Sequence, residues 1–271
     1  PDIRVENAEK NRNLVFGDIS KAKLILTAHY DTCTRSLYPN ISIPFRPGLK
    51  FAYNMLTLMP IIAAMLLAIF GLTPVIPDMQ TRLFIGLAVY YVLYFVLFFA
   101  APANKHTAND NTSGVVTLLE IARTLPENQR HKVCFVLFDQ EESGLLGSAC
   151  YRKKHRTATD RQLVLNLDCV GDGDHIIFFP TKQARKNDRL MKDIHRLAGW
   201  FGNKNLLLKK HGFYTYPSDQ RNFPLGIGIA AFHKKKGIGY YVDKIHTKND
   251  TILEQTNVNL LRAALTTLIC G

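Results

Sequence analysis

Cysteine is scarce in this chain. Five occur in 271 residues, at Cys33, Cys134, Cys150, Cys169 and Cys270, and no two stand in CxxC spacing. An odd, scattered set excludes a disulfide framework as the basis of the fold. Cys134 and Cys169 lie in or beside strand-like runs and are expected to be buried thiols. Nucleic-acid motifs are missing too. The net charge is +12 and the pI near 9.5, but the charge is scattered and no basic helix carries interleaved aromatics. Short runs such as Lys234-Lys235-Lys236 read as solvated loops, so nucleic acid is not an expected partner. Internal repeats and low-complexity tracts are absent. No secretory signal opens the chain; Pro1 is not a natural initiator, so an upstream segment is expected to have been removed. The sharpest absence is local: residues 83–101 hold no charge at all.

Apolar residues are plentiful. A hydrophobic content of 47%, with 10% aromatic, is enough for a core, and the length suits one α/β domain with an inserted element. The organising stretch is Val133-Cys134-Phe135-Val136-Leu137-Phe138, followed by Asp139-Gln140-Glu141-Glu142-Ser143-Gly144. Six apolar residues, rich in aromatic and β-branched types, fit a strand buried on both faces, as in a parallel sheet. The run then meets acids and a glycine. Open α/β sheets gather ligands outside the carboxyl ends of their strands. Adjacent Glu141 and Glu142 project differently, so one can bind a metal while the other faces substrate or water. Taken alone, the stretch also reads as a solvated acidic turn.

Similar endings recur along the chain. Residues 13–18 read as a short strand and turn. Lys23 to Ala28 reads as a second strand, ending at His29-Tyr30-Asp31-Thr32. On an extended backbone His29 and Asp31 share a face. A carboxylate beside an imidazole is a common way to fix the tautomer of a metal-binding histidine. Residues 107–114, with Asp110 among them, precede a helical pattern from Val115 to Leu125. They either cap that helix or set Asp110 near its positive end and a metal. Arg161 to Leu167 is a strand ending on Asp168. Met191 to Phe201 has a helical pattern, and Ile227 to Phe232 reads as a late strand. His246-Thr247-Lys248-Asn249-Asp250 follows, and Thr251 with Glu254 suggests a capping box for a final helix. Strands alternating with helices give an α/β fold with a mixed, mostly parallel central sheet and helices on both faces. Four strand ends or loops carry His29, Asp110, Glu141 with Glu142, and Asp168; His246 makes a fifth. Two imidazoles and three carboxylates suit two zinc-like ions bridged by one carboxylate, with a further Glu left as base.

Between His29 and Asp110 lies the oddest part of the chain. Phe51 to Leu72 is apolar except for Asn54, Thr57 and Pro60, and Leu83 to Ala101 is uncharged. Each approaches the roughly 20 residues that span a bilayer as a helix. A turn over residues 73–78 joins them into a hydrophobic hairpin, residues 51–101, inserted in the domain. Neither stretch shows a polar face, which favours membrane association. The rival arrangement is a soluble homodimer, with these helices as its interface or as a lid. Arg46, Lys50 and Lys105 flank the hairpin on the domain side, against Asp78 and Arg82 at the far turn. If the hairpin spans a membrane, the positive-inside rule places the catalytic domain in the cytoplasm.

The ordered blocks resemble those of the M28 family of zinc metallopeptidases, the dizinc aminopeptidases. The blocks are Ala28-His29-Tyr30-Asp31, Asn109 to Gly114, Phe138 to Ser148, Asn166-Leu167-Asp168 and His246 to Thr251, with Ser218-Asp219 before Phe223 as a weaker late element. The resemblance covers nearly the whole chain outside the hairpin, residues 1–271 then forming a single metallopeptidase domain of zinc-exopeptidase-like fold acting on a peptide substrate. It implies that Asp110 bridges two zinc ions. His29 and Asp168 would complete one site, Glu142 and His246 the other. Asp31 would buttress His29, and Glu141 would be the general base. The hairpin departs from the family pattern, and Ile245 stands where some members have Tyr; Tyr240 or Tyr241 are candidate replacements as oxyanion donors, or else packed strand aromatics. Two other classes stay open: a glutaminyl-cyclase-like acyltransferase with a single zinc, and a non-catalytic scaffold relative. Retention of all six residues argues against the scaffold and, less strongly, against the cyclase.

Overall fold

A computed structural model describes residues 3–8, 11–36, 38, 40–98, 100–197, 204–208 and 214–271. In chain order, strands β1 (Arg4–Ala8), β2 (Asn11–Phe16) and β3 (Leu24–His29) lead into helices α1 (Pro47–Gly71) and α2 (Met79–Phe98). Helix α3 (Ser113–Thr124), strand β4 (Val133–Phe138), helices α4 (Leu146–Lys154) and α5 (Arg156–Thr159) and strand β5 (Leu163–Leu167) follow. Then come β6 (His175–Pro180), α6 (Lys182–Arg185), α7 (Asp188–Arg196) and β7 (Asn205–Leu208). Last are β8 (Gly226–Lys235), β9 (Gly239–Tyr241) and α8 (Gln255–Cys270).

The strands form one mixed sheet in the order β1-β2-β4-β3-β5-β8-β6-β7, with β9 on β8. Its centre, β4-β3-β5-β8, is parallel. The β1–β2, β2–β4, β6–β8 and β8–β9 pairs are antiparallel. The expected α/β architecture is therefore present. Register decides where the chemistry lies. His29 pairs with Phe138, and Thr27 with Asn166, so the carboxyl ends of β3, β4 and β5 are level. His29, Asp139 onward and Asp168 leave the sheet at one edge.

The apolar run of β4 is buried at all six positions. Its residues divide by alternation. Val133, Phe135 and Leu137 join a core with Leu118 and Ile121 of α3, Ile194 of α7, and Leu261 and Leu265 of α8. Cys134, Val136 and Phe138 join the opposite core with Tyr151 of α4. Helices thus cover both faces, the condition under which a strand can be apolar throughout.

The hairpin helices are longer than their apolar runs. Pro47 opens α1 at a position where its missing N–H costs nothing. Asp78 accepts from Thr81 N (2.7 Å) and so caps α2 early. Gly86 lets the two helices close, since a Cβ there would lie 2.5 Å from Ile69 Cγ1. Arg82 is only 8% exposed and donates to Ile69 O (3.3 Å) and to the Thr73 hydroxyl. The outward faces stay bare: Leu67 is 72% and Phe84 75% exposed. Both helices are long and apolar enough to cross a membrane.

Two local expectations change. The capping box at α8 is not formed. Glu254 instead gives its carboxylate to Lys204 Nζ (2.6 Å), and no side chain caps the helix. Helix α7 starts earlier than Met191, capped by Asn187, which accepts from Leu190 N (3.1 Å). Residues 198–201 of that expected helix lie outside the described residues.

Candidate metal centre

Several positions in the loops at the sheet edge have a constrained backbone. Gln140, Cys169 and His246 have left-handed φ values of 55°, 55° and 61°. Side chains other than glycine rarely adopt that region and need surrounding structure to hold it. The Asp110–Asn111 peptide bond is cis. Asn111 clamps the turn before α3 to β5. Its Nδ2 donates to Leu167 O (2.9 Å), and its Oδ1 accepts from Gly114 N (3.1 Å) and Cys169 N (3.2 Å). Gly114 is required there, because a Cβ would sit 2.4 Å from Leu167 O. Asp250 fastens the other side of the turn, accepting from Asn109 N (2.7 Å) and Asp110 N (3.0 Å).

These constraints bring His29, Asp110, Asp168, Glu142 and His246 together. Asp110 Oδ1 lies 3.2 Å from His29 Nε2, and its Oδ2 lies 2.8 Å from His246 Nε2. Asp168 Oδ1 is 3.7 Å from the same His29 nitrogen. Glu142 Oε1 is 3.3 Å from the same His246 nitrogen and is buried without a hydrogen-bond partner. Asp31 stands behind His29. The His29 Nδ1 contacts Asp31 O at 3.2 Å and Asp31 Oδ1 at 3.4 Å. The Asp31 carboxylate also accepts from Glu141 N (3.0 Å) and Glu142 N (3.1 Å). An imidazole that donates through Nδ1 presents a lone pair at Nε2. Here that lone pair faces two carboxylate oxygens. Acceptors facing acceptors are stable only with a proton or a cation between them, so the donor set fits a divalent metal.

The charges respond to this crowding. Burial opposes charging His29, but Asp110, Asp168 and Asp31 raise its pKa well above the usual range. The same contest, with burial again opposing, raises His246 through Asp110, Cys33 and Glu142. Burial works against ionising Asp110, yet its hydrogen bonds to His246 and His29 hold it far below the usual carboxylate range. Glu141 goes the other way. Burial, then the charge of Asp168, pushes it up to about 9.

A cavity of about 220 Å³ opens on these residues. It is lined by His29, Asp110, Glu141, Glu142, Asp168 and His246, together with Lys50, Tyr216, Pro217 and Ile245. Tyr216 donates to Asp168 O (3.0 Å). Neither Tyr240 nor Tyr241 lines the cavity; Tyr240 packs on Phe45 and His175. Three residues near the centre are not among the site residues expected from the sequence. Cys33 groups with Glu142 and His246, one donor atom of each lying within 4.8 Å of the others. Lys50 arrives from the foot of α1. Asp219 is fully buried with neither oxygen hydrogen-bonded, and burial lifts it to about 7. Only Asp219 carried a signal, the Ser218-Asp219 pair.

The chain resembles known proteins in sequence and in fold. It is 23% identical over 158 residues to a vacuolar membrane protease of Schizosaccharomyces pombe, a match covering 57% of this chain and 18% of that protein. Its fold is similar to BSAP, a zinc aminopeptidase from Bacillus subtilis, with a TM-score of 0.54 and 17% identity, covering 96% of this chain and 49% of that one. It is also similar to Porphyromonas gingivalis glutaminyl cyclase, with a TM-score of 0.57 and 17% identity, covering 99% and 82% of the two chains. The chain thus spans about half the length of the aminopeptidase and under a fifth of the membrane protease. The sequence profile of peptidase family M28 matches residues 95–269, from the end of α2 through the last helix, and the chain belongs to that family.

Proposed function

We propose that this chain is the catalytic unit of a membrane-held zinc metallopeptidase that removes residues from peptide N-termini. The observation that carries this reading is Asp110, whose two oxygens face two imidazoles, each already beside a second carboxylate. His29 and Asp168 would hold one zinc ion, Glu142 and His246 a second, with Asp110 joining them. Ions there supply Lewis acidity toward a water molecule and the scissile carbonyl.

The rest is the work of the chain's own groups. Asp31 fixes the His29 ring from behind and anchors the backbone of Glu141 and Glu142, which makes it a positioning residue. Glu141 faces the cavity and is the general base. Its carboxylate takes a proton from the attacking water and passes it to the leaving amine nitrogen. The cavity, at about 220 Å³, admits a peptide end better than a folded chain.

Residues 1–271 form one metallopeptidase domain, and residues 51–101 anchor it. The anchor's foot is part of the pocket. Lys50 lines the cavity and donates to Asn40 Oδ1 (3.2 Å), and Arg46 donates to Gly237 O (2.6 Å). The active site therefore lies near the membrane surface. Arg46, Lys50 and Lys105 on the domain side favour a cytoplasmic catalytic domain, the more so because Arg82 at the far turn is buried within the hairpin.

A panel of aminoacyl-p-nitroanilides and short peptides, run on zinc-reconstituted protein with elemental analysis, tests the reading. Release of N-terminal residues with two ions per chain is expected. A glutaminyl-cyclase-like activity is the second reading, favoured by the fuller coverage of that enzyme's chain; cyclisation of N-terminal Gln with one ion bound would select it. Neither reaction, with no ion retained, refutes both.

A further inference from the structure

The residues around His246 include a thiol that none of the M28 blocks contains. Cys33 lies four residues after His29, on the segment leading toward the hairpin. Its place is fixed by backbone contacts on both sides. Asn104 N donates to Cys33 O (3.0 Å), Arg35 N donates to Pro102 O (2.8 Å), and Thr34 bridges to Ala103. Two residues further, Ser36 N donates to His246 O (2.7 Å). The segment is thereby pinned against the loop that carries His246.

The donor atoms converge. One each from Cys33, Glu142 and His246 lie within 4.8 Å of one another, and His246 Nε2 is also 2.8 Å from Asp110 Oδ2. Tetrahedral metal–ligand bonds of about 2.0–2.3 Å separate neighbouring donors by roughly 3.3–3.8 Å, so one ion can sit among Cys33, Glu142 and His246, with Asp110 reaching the same His246 nitrogen. Glu142 Oε1 points into this cluster, buried and without a hydrogen bond. Around His29 the corresponding group is only His29, Asp110 and Asp168, and the nearby third group is His29 with Glu141 and Glu142.

We propose that Cys33 Sγ is a fourth protein donor at the His246 position, so that the two metal positions of this chain are chemically unequal. The inference rests on the dinuclear reading above. Coordination transfers the Cys33 S–H proton to solvent and involves no change of oxidation state. The His246 position, with Cys33, Glu142, His246 and Asp110, is closed by four protein donors, as in structural zinc sites. The His29 position has three and stays open, with Glu141 beside it. A thiolate also shifts the closed position toward soft ions such as zinc and cadmium, away from magnesium and manganese.

Cobalt(II) makes the thiolate visible. The full chain, stripped with a chelator and reloaded with cobalt, is expected to bind two equivalents. It should show visible ligand-field bands and a near-ultraviolet sulfur-to-cobalt charge-transfer band. Cys33→Ser and Cys33→Ala should both lose the charge-transfer band, keep the visible bands, and bind the equivalent held at the His246 position about tenfold less tightly or worse. Two cobalt ions without the near-ultraviolet band in the parent overturn the Cys33 assignment and leave the dinuclear reading standing. A band that persists in both variants assigns it to another cysteine and likewise overturns the proposal. Fewer than two ions in the parent removes the dinuclear reading and this inference together.

Discussion

Strand β4 and the α1–α2 hairpin are built from the same kind of residue and meet opposite fates. Val133 to Phe138 is buried at every position. The hairpin, equally apolar, leaves Leu67, Phe84, Phe51 and Phe95 exposed. Hydrophobicity does not separate them; backbone hydrogen bonding does. A strand finds its partners in other strands, so β4 has to lie between β2 and β3. A helix satisfies its own backbone and can leave the protein for a lipid phase. Apolar surface that the protein does not cover must then be covered by something else.

Several experiments break or sharpen this contrast. The largest effect is on partition. Replacing residues 55–97 with a Gly/Ser linker leaves Lys50 in place and should turn a chain that floats with liposomes into a soluble, folded monomer. If the intact chain stays in the soluble fraction and elutes as a dimer, the hairpin is an interface rather than an anchor.

On the buried side, Glu141→Gln keeps shape and removes the basic carboxylate. A loss of kcat of about 10²–10⁴ is expected, as for a missing general base, with zinc content unchanged. Activity within a few-fold of the parent would reject the role given to Glu141.

The direct comparison pairs two phenylalanines. Phe138→Ala, in the core beside Tyr151 and Phe223, should cost about 3–5 kcal/mol in denaturant melts. Phe84→Ala, on the outer face of α2, should stay within about 0.5 kcal/mol in detergent. Equal costs would mean that the hairpin face is buried in the working protein.

The smallest effect is a pH dependence. Asp219 has a folded pKa of about 7 against an ordinary 3.8. The folded state therefore holds a proton that the unfolded chain releases, and stability falls as pH rises from near 4 through about 7. The slope is at most about 1.4 kcal/mol per pH unit in that window. In chelator-treated protein, Asp219→Asn should raise Tm at pH 8 and leave it nearly unchanged at pH 4. An equal shift at both values would show that Asp219 stays ionised throughout.

Much of this molecule is legible in the linear chain, because the relevant signals are local. An unbroken apolar run marks β4, and uncharged stretches of membrane length mark α1 and α2. Imidazoles and carboxylates at strand ends mark the residues that the structure gathers around Asp110. Less local signals read poorly. Glu254 had the spacing of a capping residue, but Lys204, 50 residues away in sequence, takes its carboxylate. The length of α2 depended on a cap from Asp78, and β1, β6 and α4 carried no clear periodic signal.

The sequence by itself determined which chemical groups are present, their order along the chain, and two apolar segments long enough to cross a membrane. Tertiary structure alone decided which groups meet. The parallel register of β3 with β4 and β5 sets His29 level with Phe138 and Asp168. Asp250 reaches 140 residues back to hold Asp110 N. Cys33 stands at the His246 loop because Ser36 and Asn104 tie its segment there. Each is a contact between residues distant in sequence, fixed only when the whole sheet has paired, and no local periodicity encodes it.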